Sequence, residues 1–547
     1  MNPNIASRLI DMAQRYPGNI AVAEPSGGGQ YRTITFAGLN RDSDAVADAL
    51  LKSGFKPGMR LALFVHYGID FISLVFALCK ANITLILIDP GMGIRRMLNC
   101  LAEAEPDGFA AVPAVHLVRL LMHRRFPKAK YHLTAGHRWC WGGLSLHEIR
   151  QQVRQQPPVN FTPVPPQEED LAAIIFTSGS TGPPKGVAFT HGMFDTQVSE
   201  IANRFNIQPG EIDLACFPFF GLFDAAMGVT AVIPDMNTSK PAQVNPAKIV
   251  EAANRWKITQ SFASPAVWNR VADYCTKTGK RLETLRRAVS AGAPVPAAIL
   301  RKLKPCIHPD GDIFTPYGAT EALPVAVISA SEVLGETAAK TENGGGVCVG
   351  KRFAAVSWKV IQITDEPLQW NEIRELPAGE IGELIVTGKQ VTKEYVNRPA
   401  ANRASKITDT ENNVWHRIGD TGYLDEQDRF WFCGRKAHRV VIVDESGTEQ
   451  TYFSIPCEAV FNRHPKVFRS ALAGSPAGTV RMFIEPLPEH FPSTPSEREQ
   501  FLAELRELGR SHTLTAAIAD IRLLKSFPVD VRHNVKINRE LLTAMKN

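Results

Sequence analysis

The sequence predicts an α/β protein: a large N-terminal domain of parallel sheets covered by helices, a small antiparallel subdomain, and a smaller C-terminal domain. Three observations carry this. Between residues 34 and 314, short apolar strands alternate with amphipathic helices, the pattern of parallel sheets covered on both faces. Several of those strands run into glycine turns, and in open α/β sheets such strand ends are where ligands sit. From residue 379 to 433, glycines and short apolar runs replace the alternation, which signals antiparallel strands. At 547 residues the chain exceeds what one hydrophobic core serves, so at least two domains are expected.

Residues 34–53 read as an amphipathic helix that Thr35 can cap, with Leu39, Val46, Leu50 and Leu51 recurring on its apolar face. Residues 60–65 read as a strand, 69–80 as a helix, 84–88 as a strand, 89–93 as a turn, 95–104 as a helix and 108–112 as extended chain. The proline-rich segment 151–170 is a polar connector into the apolar strand 171–176. A helix at 193–205 follows. Then Phe217, Phe219, Phe220 and Phe223 crowd into seven residues, interrupted by Pro218 and Gly221. This is either a core strand turning into a loop or an apolar wall beside a ligand. Helices are expected at 246–256, 265–276 and 296–303. Strand 285–290 leads into Ala291-Gly292-Ala293-Pro294, and strand 312–314 leads into Thr315-Pro316-Tyr317-Gly318-Ala319-Thr320-Glu321. The charged stretch Gly434-Arg435-Lys436-Ala437-His438-Arg439 marks the boundary between domains 1–434 and 435–547. In the second, strands are expected near 439–443 and 480–484, and helices near 455–462, 497–508 and 535–545.

Composition excludes several classes. The net charge of +6 is small for the length and gives no warrant for nucleic-acid binding. Nine scattered cysteines, odd in number and without Cys-x-x-Cys, argue against a disulfide framework or zinc site and for a reducing compartment. The start lacks the charged and apolar regions of a signal peptide, and the most apolar stretch, 71–79, is too short to span a bilayer. A cytoplasmic enzyme, not membrane-spanning, is the expectation.

The strongest local signal is Thr177-Ser178-Gly179-Ser180-Thr181-Gly182-Pro183-Pro184-Lys185-Gly186. Its glycines let backbone approach an anion, its hydroxyls donate, and Lys185 adds a point charge. The reading is a polyphosphate cradle. It is not a P-loop, which needs Gly, four residues and then Gly-Lys-Ser/Thr.

Four motifs in order resemble those of the acyl-adenylate-forming superfamily, which includes acyl-CoA synthetases, peptide-synthetase adenylation domains and firefly-type luciferases. Residues 175–187 look like its phosphate loop, and Tyr317-Gly318-Ala319-Thr320-Glu321 like its adenine and magnesium motif. Trp415-His416-Arg417-Ile418-Gly419-Asp420 with Gly434-Arg435 looks like its ribose-binding pair, and Lys536-Ile537-Asn538-Arg539 like its C-terminal lysine motif. Within the superfamily the chain most resembles the olefin β-lactone synthetases, on Asp89-Pro90-Gly91-Met92-Gly93, on 315–324 and on 528–534.

The resemblance implies an adenylate-forming fold, in which the antiparallel part is barrel-like and the C-terminal domain is a mobile α+β lid. It implies ATP and Mg²⁺, with a long-chain β-hydroxy acid as small-molecule substrate and other hydrocarbon-pathway enzymes as partners. Thr177 to Gly182 and Lys185 would hold the β- and γ-phosphates, Thr320 would donate to the α-phosphate, and Glu321 would hold Mg²⁺. Tyr317, with Gly318 behind it, would stack on adenine; Gly292 and Ala293 would admit the purine and acyl group; Asp420 and Arg435 would reach ribose. Lys536 would bridge carboxylate and phosphate oxygens during adenylation. Phe219, Phe220, Gly221 and Phe223 would line the acyl site, with Gly221, standing where relatives carry a histidine or aromatic, widening it for a two-chain acid. Ala437 replaces a polar hinge residue, and the acidic 443–449 segment disfavours a CoA acceptor. An intramolecular 3-hydroxyl can then attack the acyl carbon to give a β-lactone; His191, His438 and His533 are candidate bases, none preferred. Transfer to CoA or to a carrier protein is the alternative.

Overall fold

The computed structural model describes residues 4–139, 141–155, 161–177, 183–238, 240–443, 447–475, 478–529 and 537–545. Two large sheets organise it. The first has seven strands. Tyr131–Thr134, Gly108–Ala111, Arg60–Phe64, Thr84–Ile88 and Leu171–Thr177 run parallel, and Lys185–Thr190 closes the edge antiparallel to Leu171–Thr177. The second has fourteen strands. Its parallel half is built from Thr230–Val232, Ile212–Ala215, Gln260–Ala263, Arg287–Ser290 and Asp312–Ala319. Asp312–Ala319 then pairs antiparallel with Ala322–Ser329, and the sheet continues antiparallel through Val347–Arg352, Arg429–Arg435, Val414–Leu424, Gly382–Gly388 and Val356–Ile361. The antiparallel part is thus hydrogen-bonded directly onto the parallel half, with one strand belonging to both.

Local sequence explains most of these elements. Thr35 accepts from Gly38 N at 3.1 Å and starts helix Phe36–Lys52, as its position suggests. Apart from Asp70 in its first turn, helix Ile69–Lys80 is buried along its whole length, and most of its residues are apolar. Asp70 pairs with Arg150 at 2.7 Å, and the buried Lys80 ammonium is satisfied by Asn40 O and Oδ1, Ser43 Oγ and Asp44 Oδ1 at 2.7–3.0 Å. Four such acceptors offset the desolvation of a buried charge.

One expectation needs correction. The phenylalanine stretch is not a strand running into a loop: the strand stops at Ala215, and Pro218 opens helix Pro218–Met227. Proline at the first helical position loses no bond the helix would have made. Helix Pro113–Leu121 lies between strands Gly108–Ala111 and Tyr131–Thr134. A hairpin, Ile20–Gly27 with Gln30–Thr35, also docks parallel onto Thr230–Val232 through Val22↔Ala231 and extends the second sheet. Residues beyond 439 form a two-stranded sheet, a three-stranded sheet and flanking helices around their own apolar cluster of Val460, Phe461, Leu472, Met482, Ile484 and Leu505.

Candidate active site

The phosphate cradle is anchored by register. Thr177 and Lys185 are opposed across the antiparallel pair Leu171–Thr177 and Lys185–Thr190, so the main chain fixes both ends of the segment between them. Residues 178–182 themselves lie outside the described residues, as does the side chain of Thr177. Lys536 lies outside them as well.

Strand Asp312–Ala319 delivers the next group. Gly318 is constrained by crowding: a Cβ there would stand 2.5 Å from Ala322 O. Its neighbour Tyr317 donates its hydroxyl to Asp420 Oδ2 at 2.5 Å, while its ring lies 5.9 Å from Phe430 and 6.3 Å from Phe432. The other carboxylate oxygen, Oδ1, accepts from Arg435 Nη1 at 2.5 Å. Asp420 and Arg435 are register partners on adjacent antiparallel strands, and Tyr317 reaches them from the strand that joins the two halves of the sheet. Burial, and then Asp420, push the Tyr317 hydroxyl well above its usual range, so it stays a donor.

Thr320 and Glu321 occupy the turn between Asp312–Ala319 and Ala322–Ser329. Glu321 Oε1 accepts from the Tyr395 hydroxyl at 2.6 Å, and its backbone carbonyl accepts from Thr392 N at 2.9 Å and Thr392 Oγ1 at 3.0 Å. The Tyr395 ring carries a cation on each flank: Lys185 Nζ lies 4.8 Å from its centroid and Lys406 Nζ 5.6 Å. Lys406 also donates to the Thr392 carbonyl and, at 3.2 Å, to the Thr392 hydroxyl. Burial pushes the Lys406 amine down to about 7, against the pull of Glu321 and with the help of Lys185. His416 donates from Nδ1 to Ser405 O at 3.2 Å and meets Tyr395 edge-on. Burial and then Lys406 keep it neutral. Lys185, Lys406 and Arg435 face Glu321 and Asp420 across this cluster, an excess of cations that suits a polyanion. One carboxylate, with no group of three or more metal-ligating side chains among the described residues, fits a magnesium ion that is held chiefly by nucleotide phosphates and water.

Sequence reasoning missed Tyr395, Thr392 and Lys406. A usable signal existed for the last: the Asp409–Asn413 turn folds Lys406 back opposite His416 in a hairpin.

Gly292 follows strand Arg287–Ser290 with φ +90°, and a Cβ there would meet nothing, so backbone conformation rather than crowding demands glycine. Ala293 follows it in the same turn. On the apolar side, the Phe220 ring stacks on Phe262 at 3.8 Å and meets Phe223 at 6.2 Å, while Phe223 meets Phe194 at 6.3 Å. The side chain of Phe219 is not among those described. Gly221 does not open space. A Cβ there would collide with the Tyr67 hydroxyl, which fills the space beside it.

Beneath that hydroxyl lies a network invisible in the sequence. Asp213 and Asp224 are 2% and 0% exposed, and Gln260 Nε2 donates to Asp224 Oδ1 at 3.4 Å. Burial raises both carboxyls, Asp213 to about 7 and Asp224 well above its usual range, so the pair holds at least one proton at neutral pH.

The candidate bases separate. His191 is buried with Nε2 on Asn82 Oδ1 at 3.2 Å, a packing role. Burial, Arg539 and Arg435 together hold His438 near 4, hence neutral. His533 lies outside the described residues.

Comparison with known proteins gives a consistent picture. The profile of the AMP-binding enzyme family matches residues 10–396. The chain is 41% identical to the olefin beta-lactone synthetase of Xanthomonas campestris pv. campestris, covering 98% of this chain and 96% of that one. It is 39% identical to the protein of the same description from Stenotrophomonas maltophilia, covering 98% and 97%. Among solved structures, the amide bond synthetase McbA from Marinactinospora thermotolerans superposes with a TM-score of 0.76 at 20% identity, covering 98% of each chain. ATP-bound MatB from Rhodopseudomonas palustris superposes with 0.76 at 18%, covering 99% and 98%.

Proposed function

The chain belongs to the AMP-binding enzyme family, and from that premise we propose that it activates a long-chain 2-alkyl-3-hydroxy fatty acid with ATP and closes it to a β-lactone. The observation that carries the activation step is the meeting of Tyr317, Asp420 and Arg435 on one side with Glu321, Tyr395, Lys185 and Lys406 on the other. The lactone product is carried by the description of the two relatives of about 40% identity.

In the first half-reaction a carboxylate oxygen bonds to the α-phosphorus of ATP, and pyrophosphate leaves with the bonding pair. Asp420 is set to accept from ribose hydroxyls, with Tyr317 and Arg435 fixing its orientation. Thr320 donates to the α-phosphate. Lys185 and Lys406 offset charge on the departing phosphates, and Lys536 bridges the reacting oxygens. Magnesium, when bound at Glu321, supplies Lewis-acid neutralisation of the phosphate oxygens. Tyr395 fixes the Glu321 carboxylate by its hydrogen bond. Residues 435–547 form the lid that carries Lys536 to this centre.

In the second half-reaction the 3-hydroxyl oxygen bonds to the acyl carbon, AMP leaves with its oxygen, and the hydroxyl proton passes to a base. Intramolecular attack removes the entropy of finding a second substrate. A neutral His438, three residues after the ribose arginine, is in the protonation state a base requires.

The test supplies Mg²⁺, ATP and a racemic 2-alkyl-3-hydroxy acid with and without CoA. AMP and β-lactone in the tube without CoA are expected. A thioester formed only with CoA would replace the lactone reading with that of an acyl-CoA synthetase, and ADP in place of AMP would sink both.

A further inference from the structure

Helix Pro113–Leu121 is built inside out. Its polar residues face the protein. His116 is fully buried with Nε2 on Leu133 O at 3.1 Å, and Arg119, 8% exposed, lies 2.7 Å from His132 Nε2. Its apolar residues face water: Leu117 is 47% exposed, Leu120 42%, Leu121 75% and the following Met122 41%. Trp139, 61% exposed, is linked to this helix through Trp141: its ring is 5.4 Å from Trp141, which lies 5.5 Å from His116. Single exposed leucines are ordinary, but buried polar groups under a contiguous apolar patch mark an interaction surface.

Charge says what kind. Residues 108–147 hold six lysines and arginines and no aspartate or glutamate, as much net positive charge as the whole chain carries. Arg119 is internal, and two of the others are met by carboxylates from outside the segment, Lys128 by Glu105 at 3.0 Å and Arg138 by Glu148 at 2.8 Å. Arg124 and Arg125, directly after the exposed leucines, and Lys130 have no carboxylate partner among the described residues. Exposed leucine and tryptophan bordered by unpaired arginine and lysine, with no acidic residue among them, form the pattern that seats a helix in the headgroup layer of an anionic bilayer. Among the described residues no helix is long and apolar enough to cross one.

We propose that this face docks the protein on an anionic phospholipid surface, with Leu117, Leu120, Leu121 and Trp139 entering the headgroup layer and Arg124, Arg125 and Lys130 meeting lipid phosphates. The inference rests on this face alone and holds whichever acid the enzyme activates.

Co-sedimentation tests it, with phosphatidylcholine vesicles and with vesicles holding about 30% phosphatidylglycerol. The full chain is expected to sediment with the anionic vesicles, to remain in solution with the neutral ones, and to release as salt rises. Arg124→Gln with Arg125→Gln should weaken the partition roughly five-fold for each charge removed. Leu121→Asp should abolish it, with pyrophosphate release from ATP in the presence of a soluble acid unchanged in both variants. Brominated lipid should quench wild-type fluorescence more than that of Trp139→Phe. Failure of the wild type to bind anionic vesicles, or binding that survives Leu121→Asp, overturns the proposal. A lipid-free dimer that the same substitutions dissociate would also overturn it, assigning the face to a second copy of the chain.

Discussion

Replacing Asp224 by asparagine should stabilise the protein, and by more as pH rises. The carboxyl is fully buried beside Asp213 and stays protonated in the fold. An unfolded aspartate has a pKa near 3.9, so holding one neutral in the fold costs free energy at any pH above that value. The sign follows from proton counts. Above pH 3.9 the folded state binds the proton and the unfolded state does not, so stability falls with pH by about 1.4 kcal/mol per unit for each such group. Asp213, pushed up to about 7, adds a second slope that levels off above that value. Asparagine has the shape and hydrogen-bond pattern of the protonated acid: one oxygen for Gln260 Nε2 and one donor for Asp213. It removes one of the two slopes. Guanidinium unfolding at pH 5, 6 and 7 checks this. The gain of Asp224→Asn over wild type should grow from pH 5 to pH 7, by about 1 kcal/mol per unit. A gain that does not change with pH, or a variant less stable than wild type at pH 7, would refute the shared-proton account.

Gly221→Ala should destabilise by about 1–3 kcal/mol through overpacking against Tyr67; Tyr67→Phe in the same chain should recover most of the loss in denaturant midpoint, and no recovery would show that the clash lies elsewhere. Tyr395→Phe removes a charge-assisted hydrogen bond from Glu321 and should slow acid-dependent pyrophosphate release by about ten-fold or more while raising the magnesium concentration needed for half-maximal rate; an unchanged magnesium titration would contradict its role. Lys536→Ala should yield a folded protein that binds ATP but scarcely forms acyl-AMP, read by exchange of labelled pyrophosphate into ATP, and wild-type exchange would remove that lysine from the mechanism.

The sequence made visible those residues whose chemistry restricts their type and whose neighbours share the task. The cradle and the Tyr317–Glu321 turn each sit in a short contiguous motif, and Asp420 and Arg435 each sit in one of their own. Tyr395 and Lys406 do not. Their partners are Glu321, 74 residues before Tyr395, and Thr392, 14 residues before Lys406, and only the turn that sets Lys406 opposite His416 hints at either. Asp213 and Asp224 were hidden for a different reason: lone acids inside apolar runs look like pattern noise until the fold faces them toward each other. The helix at Pro218 escaped because a run of aromatics has no 3.6-residue period, and the Pro113–Leu121 helix because its apolar stripe points outward.

The hairpin Ile20–Gly27 with Gln30–Thr35 bears on biosynthesis. Its partner strand, Thr230–Val232, lies roughly 200 residues further along, and Thr230 Oγ1 also bonds Ile20 O at 2.6 Å. At ordinary ribosomal rates of about 5–20 residues per second, the hairpin waits on the order of 10–40 s with one edge unpaired. An open edge is a template for pairing with another nascent chain, and Glu24 and Pro25 in the middle of that strand are the residue types that blunt such an edge. In the finished fold Glu24 is put to use, bonding Arg32 Nε at 2.5 Å and capping Ile69 N at 2.6 Å. A guard during synthesis thus becomes the tie that starts the buried helix Ile69–Lys80.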